Sequence, residues 1–257
     1  MKGIPFFSII TASYNSEKTI ANTLQSVLDL EFESDALEYI LIDGKSKDKT
    51  ISIIKEFESK FKEKGIAFTW ISEPDKGIYD AWNKGVSLAK AKWISFLGSD
   101  DFYENDALKT YFEAIQKAPE NCNYISSKVL VVDEEKRPIR VMGKAFNWNV
   151  ILRNMNIAQV GSFHRKDLLE TVGPFSLQYK IVGDLDFYIR TKEVIKPQFI
   201  DKTTAKMTNA GVSNQIYPAL HEALQVRLKY GYLSKLQNYF DFYLSLLKCY
   251  IKFIIKK

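Results

Sequence analysis

Short apolar runs alternate with amphipathic stretches of helix length through the first hundred residues of the chain. Phe6 to Ile10 reads as a strand, and the turn Thr11 to Asn15 leads into a helix from about Glu17 to Leu30 that turns Leu24, Val27 and Leu28 inward. Ser16 stands where a side-chain cap belongs, with Thr19 three places on, so the capping box is incomplete. Tyr39 to Ile42 is the next strand, and Asp48 opens a helix to about Phe61 with Ile51, Ile54 and Phe57 facing in. Phe68 to Ile71 supplies a third strand, Glu73 to Gly77 a turn, and Ile78 to Ala89 a helix that feeds the strand starting at Trp93. Strand and helix repeated in this order predict an α/β fold with right-handed crossovers, a mostly parallel twisted sheet flanked by helices.

The pattern changes in the second half. Asn105 to Ala118 reads as a helix, and Tyr124 to Val132 as a strand that returns through Ile139 to Met142 as a hairpin. Residues 145 to 160 have poor periodicity. Ser162 to His164 suggests a strand, and Arg165 to Thr171 a helix closed by Gly173 and Pro174. Gly183 and Asp184 mark a further helix start, where the spacing lets Asp186 pair with Arg190. Asp184 is then either a simple N-cap or free to point elsewhere. From Ala219 onward the chain is helical in composition and crowded with Tyr, Phe, Leu and Lys.

Composition fits one substantial core with an extension: 257 residues, 46% apolar and 26% charged. The formal charge of +5 hints at nucleic acid until its position is considered. Between Val226 and Lys257 only Asp241 opposes a series of lysines and Arg227, so most of the excess is local to the tail. There Lys248, Lys252 and Lys256 form a basic stripe, with Leu246, Cys249, Phe253 and Ile254 largely on the other side. A helix lying in an anionic membrane interface has this pattern, and so does one that covers the domain and keeps its lysines wet. The tail aromatics serve the apolar face rather than alternating with lysines as stacking platforms, which argues against nucleic acid. Cys122 and Cys249 lack metal-like spacing, and a reducing compartment is the simpler reading. The first apolar run is too short for a signal peptide, and no stretch offers about 18 uninterrupted apolar residues for a membrane span. The expected location is cytoplasmic, peripheral on the inner face of the cell membrane if the tail binds lipid.

Candidate chemistry gathers after the strands, at Asn15, Asp43, Asp75 and Asp100, positions that a parallel sheet brings to one edge. Trp93 to Asp101 is the most pointed case, an apolar strand ending in Gly-Ser-Asp-Asp. Adjacent carboxylates repel unless a cation or a donor-rich partner neutralises them, so the pair suits a divalent metal, though surface turns also collect aspartates.

Taken in order, these segments resemble the inverting family 2 glycosyltransferases of the GT-A fold, and among them bacterial enzymes of surface polysaccharide and lipopolysaccharide assembly. Ser8 to Thr19 is similar to the family's first strand and loop, and Ile42 to Thr50 to its second. Glu73-Pro-Asp-Lys-Gly-Ile-Tyr-Asp-Ala-Trp-Asn-Lys-Gly85 is the most distinctive match, and Phe96 to Asp101 sits where the family keeps its aspartate motif. Gly173-Pro-Phe, then Tyr179 to Arg190, then Gly211-Val-Ser213 follow in order.

The resemblance implies a catalytic domain over residues 1–215, with a nucleotide-binding half to about 101 and an acceptor-side half beyond, and a helical extension over 216–257. By it Tyr14 and Asp43 frame the nucleotide base, Asp43 accepting a hydrogen bond; Asp80 and Lys84 are polar contacts to the sugar nucleotide; and Asp100 helps hold it. Asp101 would ligate Mn2+ or Mg2+, and Asp184 would be the catalytic base. The partners implied are a nucleoside-diphosphate sugar, expected to be a UDP-sugar, and a saccharide acceptor, lipid-linked if the tail contacts anionic membrane; no nucleic acid is expected. Three departures stand out: Gly44-Lys45 where many members have Asp-Gly, Gly183 where many have Glu, and Ala158-Gln159 where close relatives often carry His-Gln. His164 and His221 are read as structural or solvated. A sugar-phosphate nucleotidyltransferase is the competing enzyme reading, disfavoured because the loop Thr11 to Glu17 lacks a glycine-rich, basic phosphate cradle. A membrane-associated protein that binds the nucleotide sugar without turnover is the non-enzymatic one.

Overall fold

The computed structural model describes residues 3–153, 155, 157–209 and 216–255. Four parallel strands form its first half: β1 (Phe7–Ser13), β2 (Leu37–Asp43), β3 (Ala67–Ser72) and β4 (Trp93–Gly98), in the order β3-β2-β1-β4. Between them run α1 (Ile20–Leu28), α2 (Thr50–Lys64) and α3 (Ile78–Leu88). This is the predicted strand and helix alternation, with boundaries moved by a few residues.

Beyond Gly98 the sheet becomes mixed. β5 (Phe102–Tyr103) and α4 (Ala107–Lys117) precede β6 (Tyr124–Val132) and β7 (Pro138–Met142), the expected hairpin. α5 (Trp148–Ile151), β8 (Ser162–Arg165), α6 (Lys166–Val172), α7 (Gly183–Arg190) and β9 (Pro197–Thr208) follow. The full order is β3-β2-β1-β4-β8-β6-β9-β5, with β7 paired to β6. β8 runs antiparallel to both β4 and β6, whereas β9 is parallel to β6. α8 (Ile216–Tyr230) and α9 (Lys235–Ile255) end the chain. Among the described residues, no helix is long and apolar enough to cross a membrane.

Period-two alternation in the central strands divides the core into two layers. Phe7, Ile9, Tyr39, Leu41, Trp93 and Leu97 pack under α1, α2 and α4, while Ile10, Ile40, Ile42, Ile94 and Phe96 meet α3, α6 and α7 on the other face. The inward residues expected of α1, Leu24, Val27 and Leu28, are all buried in the first layer. Ala223 and Val226 of α8 join the second layer, so this part of the tail covers the domain. Ser16 does not cap α1. Its carbonyl accepts from the N–H groups of Thr19 and Ile20, and its hydroxyl turns to Ser99. Gly211-Val-Ser213 and the side chains of Lys252, Phe253, Ile254 and Lys256 lie outside the described residues.

Candidate active site

Strand order reverses between β1 and β4, and the carboxyl ends around that point form the crevice where open α/β sheets bind ligands. Strand register sets the first cluster. Ser13, Asp43 and Ser72 are aligned across β1, β2 and β3. Asp43 is fully buried, and its Oδ1 accepts from Ser13 Oγ at 3.0 Å and Ser46 Oγ at 2.5 Å. Its Oδ2 accepts from the Ser46 N–H at 2.9 Å and Ser72 Oγ at 2.7 Å. Those four bonds fill the lone-pair directions of a carboxylate. Tyr14, next along the first loop, is 59% exposed.

The first two loops are stitched together. The Asn15 N–H donates to Ser46 Oγ and the Lys47 N–H to Asn15 Oδ1, while the Glu17 N–H donates to Asp48 and the Lys49 N–H to Glu17. Asn15 and Lys45 both take left-handed backbone, with φ of 48° and 63°. At the neighbouring Gly44, a Cβ would lie 2.7 Å from Asp75 Oδ2 and 3.3 Å from the Tyr14 ring. The Gly44-Lys45 departure therefore has a local cause at one position and a conformational cost at the other, because Lys45 adopts the geometry that glycine takes freely.

Asp80 and Lys84, expected as contacts to the sugar nucleotide, hold their own loop. Lys84 Nζ pairs with Glu73 at 2.8 Å, lies 3.6 Å from Asp80 and donates to the Pro74 carbonyl, while Asp80 accepts from the Lys76 N–H. The Asp75 Oδ1 accepts from the Gly77 N–H.

At the end of β4 the carboxylates of Asp100 and Asp101 converge. A Cβ built on Gly98 would stand 2.6 Å from Asp101 Oδ2 and 3.0 Å from Asp100 Oδ1. Asp101 is 8% exposed, and burial together with the Asp100 charge pushes its pKa up to about 8. Burial also raises that of Asp100. The last residue of β9 supports the pair: the Thr208 N–H donates to Asp101 Oδ1 at 3.0 Å and its hydroxyl to the Asp100 carbonyl at 2.6 Å. Ser99 meets Ser16 across the crevice at 2.9 Å. Among the described residues, no group of three or more His, Cys, Asp or Glu side chains stands ready to enclose a metal. Two hard oxygen donors with unrelieved mutual repulsion nonetheless fit a cation of the Mg2+ or Mn2+ kind, which takes one or two carboxylates and leaves its other positions to substrate phosphates.

Asp184 lies in the first turn of α7. Its Oδ1 accepts from the Leu185 N–H at 2.8 Å and lies 3.4 Å from the Tyr79 hydroxyl. Burial raises its pKa to about 6, against the opposing pull of these donors. The expected division of labour on α7 is present, since Asp186 pairs with Arg190 at 3.0 Å. At the second departure the Tyr79 ring closes over the glycine, its carbons 2.7 to 2.9 Å from where a Cβ at position 183 would stand. At the third departure, Gln159 Oε1 accepts from the Tyr188 hydroxyl at 2.6 Å. His164 is enclosed by aromatic rings, its Nε2 lies 3.3 Å from that same hydroxyl, and burial pushes its pKa down to about 3. His221 is exposed and stacks on Tyr217. Neither imidazole is placed for chemistry.

The structure thus adds Ser13, Ser46 and Ser72 around Asp43, Thr208 beneath the acid pair and Tyr79 beside Asp184. Ser13 and Ser72 had a sequence signal in their places at or just past the ends of strands and Ser46 in the loop that follows Asp43, and Thr208 had none, because β9 itself went unread.

Residues 8–165 match the profile of the family described as Glycosyl transferase family 2. A PGL/p-HBAD biosynthesis glycosyltransferase of Mycobacterium tuberculosis is 33% identical over 187 residues, spanning 72% of this chain and 69% of the relative. Among solved structures, S. aureus TarS 1-349 in complex with UDP-GlcNAc superposes with a TM-score of 0.67 at 20% identity, over 91% of this chain and 69% of that one. The mannosyltransferase PcManGT from Pyrobaculum calidifontis, in complex with GDP-Man and Mn2+, gives a TM-score of 0.67 at 14% identity, over 97% and 76%. Against the longer S. aureus TarS chain, this one spans 41% of the length.

Proposed function

Since the chain belongs to glycosyl transferase family 2 and is a glycosyltransferase, we propose that it moves a sugar from a nucleoside-diphosphate sugar to a hydroxyl of a saccharide acceptor in glycan biosynthesis, inverting the anomeric centre. The observation that carries this reading is the convergence of Asp100 and Asp101 over Gly98 at the carboxyl edge, beside the strand-order reversal. In it, the exposed ring of Tyr14 lies against the base. Asp43 forms the floor of that pocket, and a base N–H takes the place of the exposed Ser72 as donor to its Oδ2. The Glu73 to Gly85 segment, braced by Asp80 and Lys84, borders the sugar nucleotide.

Asp101, with Asp100 beside it, would hold a divalent cation, which would supply charge neutralisation for the departing diphosphate. The Asp184 carboxylate takes the proton of the acceptor hydroxyl as that oxygen attacks the anomeric carbon. The bond from that carbon to the phosphate oxygen breaks, and its electron pair leaves with the nucleoside diphosphate. A single displacement inverts the centre, and the activated leaving group needs no protonated acid of the kind hydrolases use. A pKa raised to about 6 brings Asp184 nearer to the neutral range at which a general base works best.

Calorimetric titration with UDP, GDP, CDP and dTDP, each with and without Mn2+, tests the donor half. One nucleotide, expected to be UDP, should bind in a Mn2+-dependent manner, and Asp101→Asn should abolish that dependence; unchanged metal dependence in the variant would remove Asp101 as a ligand.

The tail supports a lipid-linked acceptor. Asp241 of α9 is buried against Arg153, with paired bonds of 2.6 and 2.9 Å, yet Leu236, Phe240, Tyr243, Leu247 and Tyr250 recur along the exposed side of the same helix, with Lys248 beside them. An apolar, aromatic face bordered by lysine suits the headgroup region of an anionic membrane. Flotation with phosphatidylglycerol vesicles should be lost on combining Phe240→Asp with Leu247→Asp; retained flotation would remove this role from α9.

A further inference from the structure

The backbone just before Asp184 is held from the tail. Glu222, near the middle of α8, accepts hydrogen bonds from three consecutive backbone N–H groups: Lys180 at 3.1 Å, Ile181 at 2.8 Å and Val182 at 3.1 Å. Val182 is the N-cap residue of α7, and it supplies no side-chain cap. The free N–H groups ahead of the helix are therefore satisfied by a carboxylate 40 residues away in sequence. From the opposite side, the Tyr79 hydroxyl donates to the Ile181 carbonyl at 2.8 Å and its ring closes over Gly183. The Ile181 residue is thus gripped at both polar ends, by the donor half through Tyr79 and by the tail through Glu222.

α8 takes a second hold beyond Asp184. Asp186 is 1% exposed, and besides Arg190 it accepts from the Tyr230 hydroxyl at 2.9 Å and lies 3.4 Å from Lys229 Nζ. Arg190 also donates to the carbonyls of Val172 and Pro174, which ties α7 to the end of α6. Asp184 lies between the two holds, two residues after Val182 and two before Asp186. The backbone that carries its carboxylate is therefore held on both sides.

Resting on the glycosyl-transfer reading above, we propose that Glu222 is a positioning residue for Asp184, and that α8 is thereby part of the catalytic unit and not only a cover for it. A misplacement of about 1 Å in a reacting group can cost on the order of 100-fold in rate, so the three bonds act on turnover while leaving the donor pocket untouched. Glu222 touches no substrate in this scheme.

The test uses the full chain with Glu222→Ala and Glu222→Gln, the second keeping side-chain size and one acceptor oxygen. Amide hydrogen exchange over residues 180–186 should quicken by about tenfold or more in Glu222→Ala, with the β1 and β4 amides unchanged. Turnover should fall by about tenfold or more while donor KM and UDP affinity stay within about twofold, and Glu222→Gln should recover part of the loss. Exchange unchanged over 180–186 would overturn the clamp. Quickened exchange with wild-type turnover would overturn its catalytic meaning, as would parallel loss of turnover and donor affinity. If Glu222→Ala does not fold, the same readings on Glu222→Gln decide. A wild-type chain that transfers no sugar would overturn the functional reading, and the exchange result separates that failure from failure of the clamp.

Discussion

The donor edge and the base-bearing segment solve the problem of holding a carboxylate in different ways. Asp43 is fixed by its immediate surroundings, since strand register places Ser13 and Ser72 on either side and its own loop adds Ser46. Asp184 sits on a short helix whose leading backbone is held by residues from α3 and α8, both remote in sequence. A cluster built on neighbouring strands forms whenever the sheet forms. One built on remote helices depends on the packing of the whole domain, and its geometry is open to adjustment by whatever acts on those helices.

The largest effect that contrast predicts is at the base itself. Asp184→Asn should lower transfer by about 10²- to 10⁴-fold, the usual worth of a general base, with nucleotide affinity within a few-fold of wild type. Wild-type turnover in this variant would end the assignment. Next in size is the response to pH. Asp184 works as a base only when ionised, and burial raises its pKa to about 6, so at saturating Mn2+, which would keep Asp101 ionised, the rate should climb as pH rises through 6 and level off above it. Below that point kcat/KM should fall about tenfold per pH unit, and a profile flat down to pH 5 would contradict the burial seen here. The smallest effect lies at the donor edge. Lys45→Gly should relieve a left-handed backbone worth about 1–2 kcal/mol, offset in part by the greater freedom of glycine in the unfolded chain. A net gain of up to about 1 kcal/mol in chemical denaturation, with UDP affinity unchanged, would show that the first two loops keep their shape without this strain.

What could be read from the sequence follows the same division. β1, β2 and β4 declared themselves because interior strands with both faces covered are largely continuous apolar runs, and the acids that follow them reach the edge through topology alone. β9 did not. It carries Asp201, Lys202 and Lys206 among threonines, with much of its length half-buried or exposed, and so offers neither a continuous run nor a clean alternation. Its last residue nonetheless braces the acid pair. Ser16 misled for a related reason. A Ser three places before Thr19 has the spacing of a cap, but the helix begins later and the hydroxyl is drawn across the crevice to Ser99. Glu222 is the limiting case: one carboxylate in a lysine-rich tail has no local feature that names its partners, because three backbone N–H groups have no side-chain identity to recognise.

Gly44 and Gly183 stand at opposite ends of the site, yet both are closed by the same stretch of chain, the first by Asp75 and the second by Tyr79. A Cβ at either position therefore requires its neighbour to give way. A descendant that placed a side chain at 183 would have to surrender or move the Tyr79 ring, and with it the bond to Ile181. One that did so at 44 would have to swing the Asp75 carboxylate away from its bond to Gly77. Residues 75 and 79, four apart on one loop and helix, thus close over both glycines, the first through the movable end of a carboxylate and the second through a buried ring, so a side chain at 183 asks for the larger rearrangement.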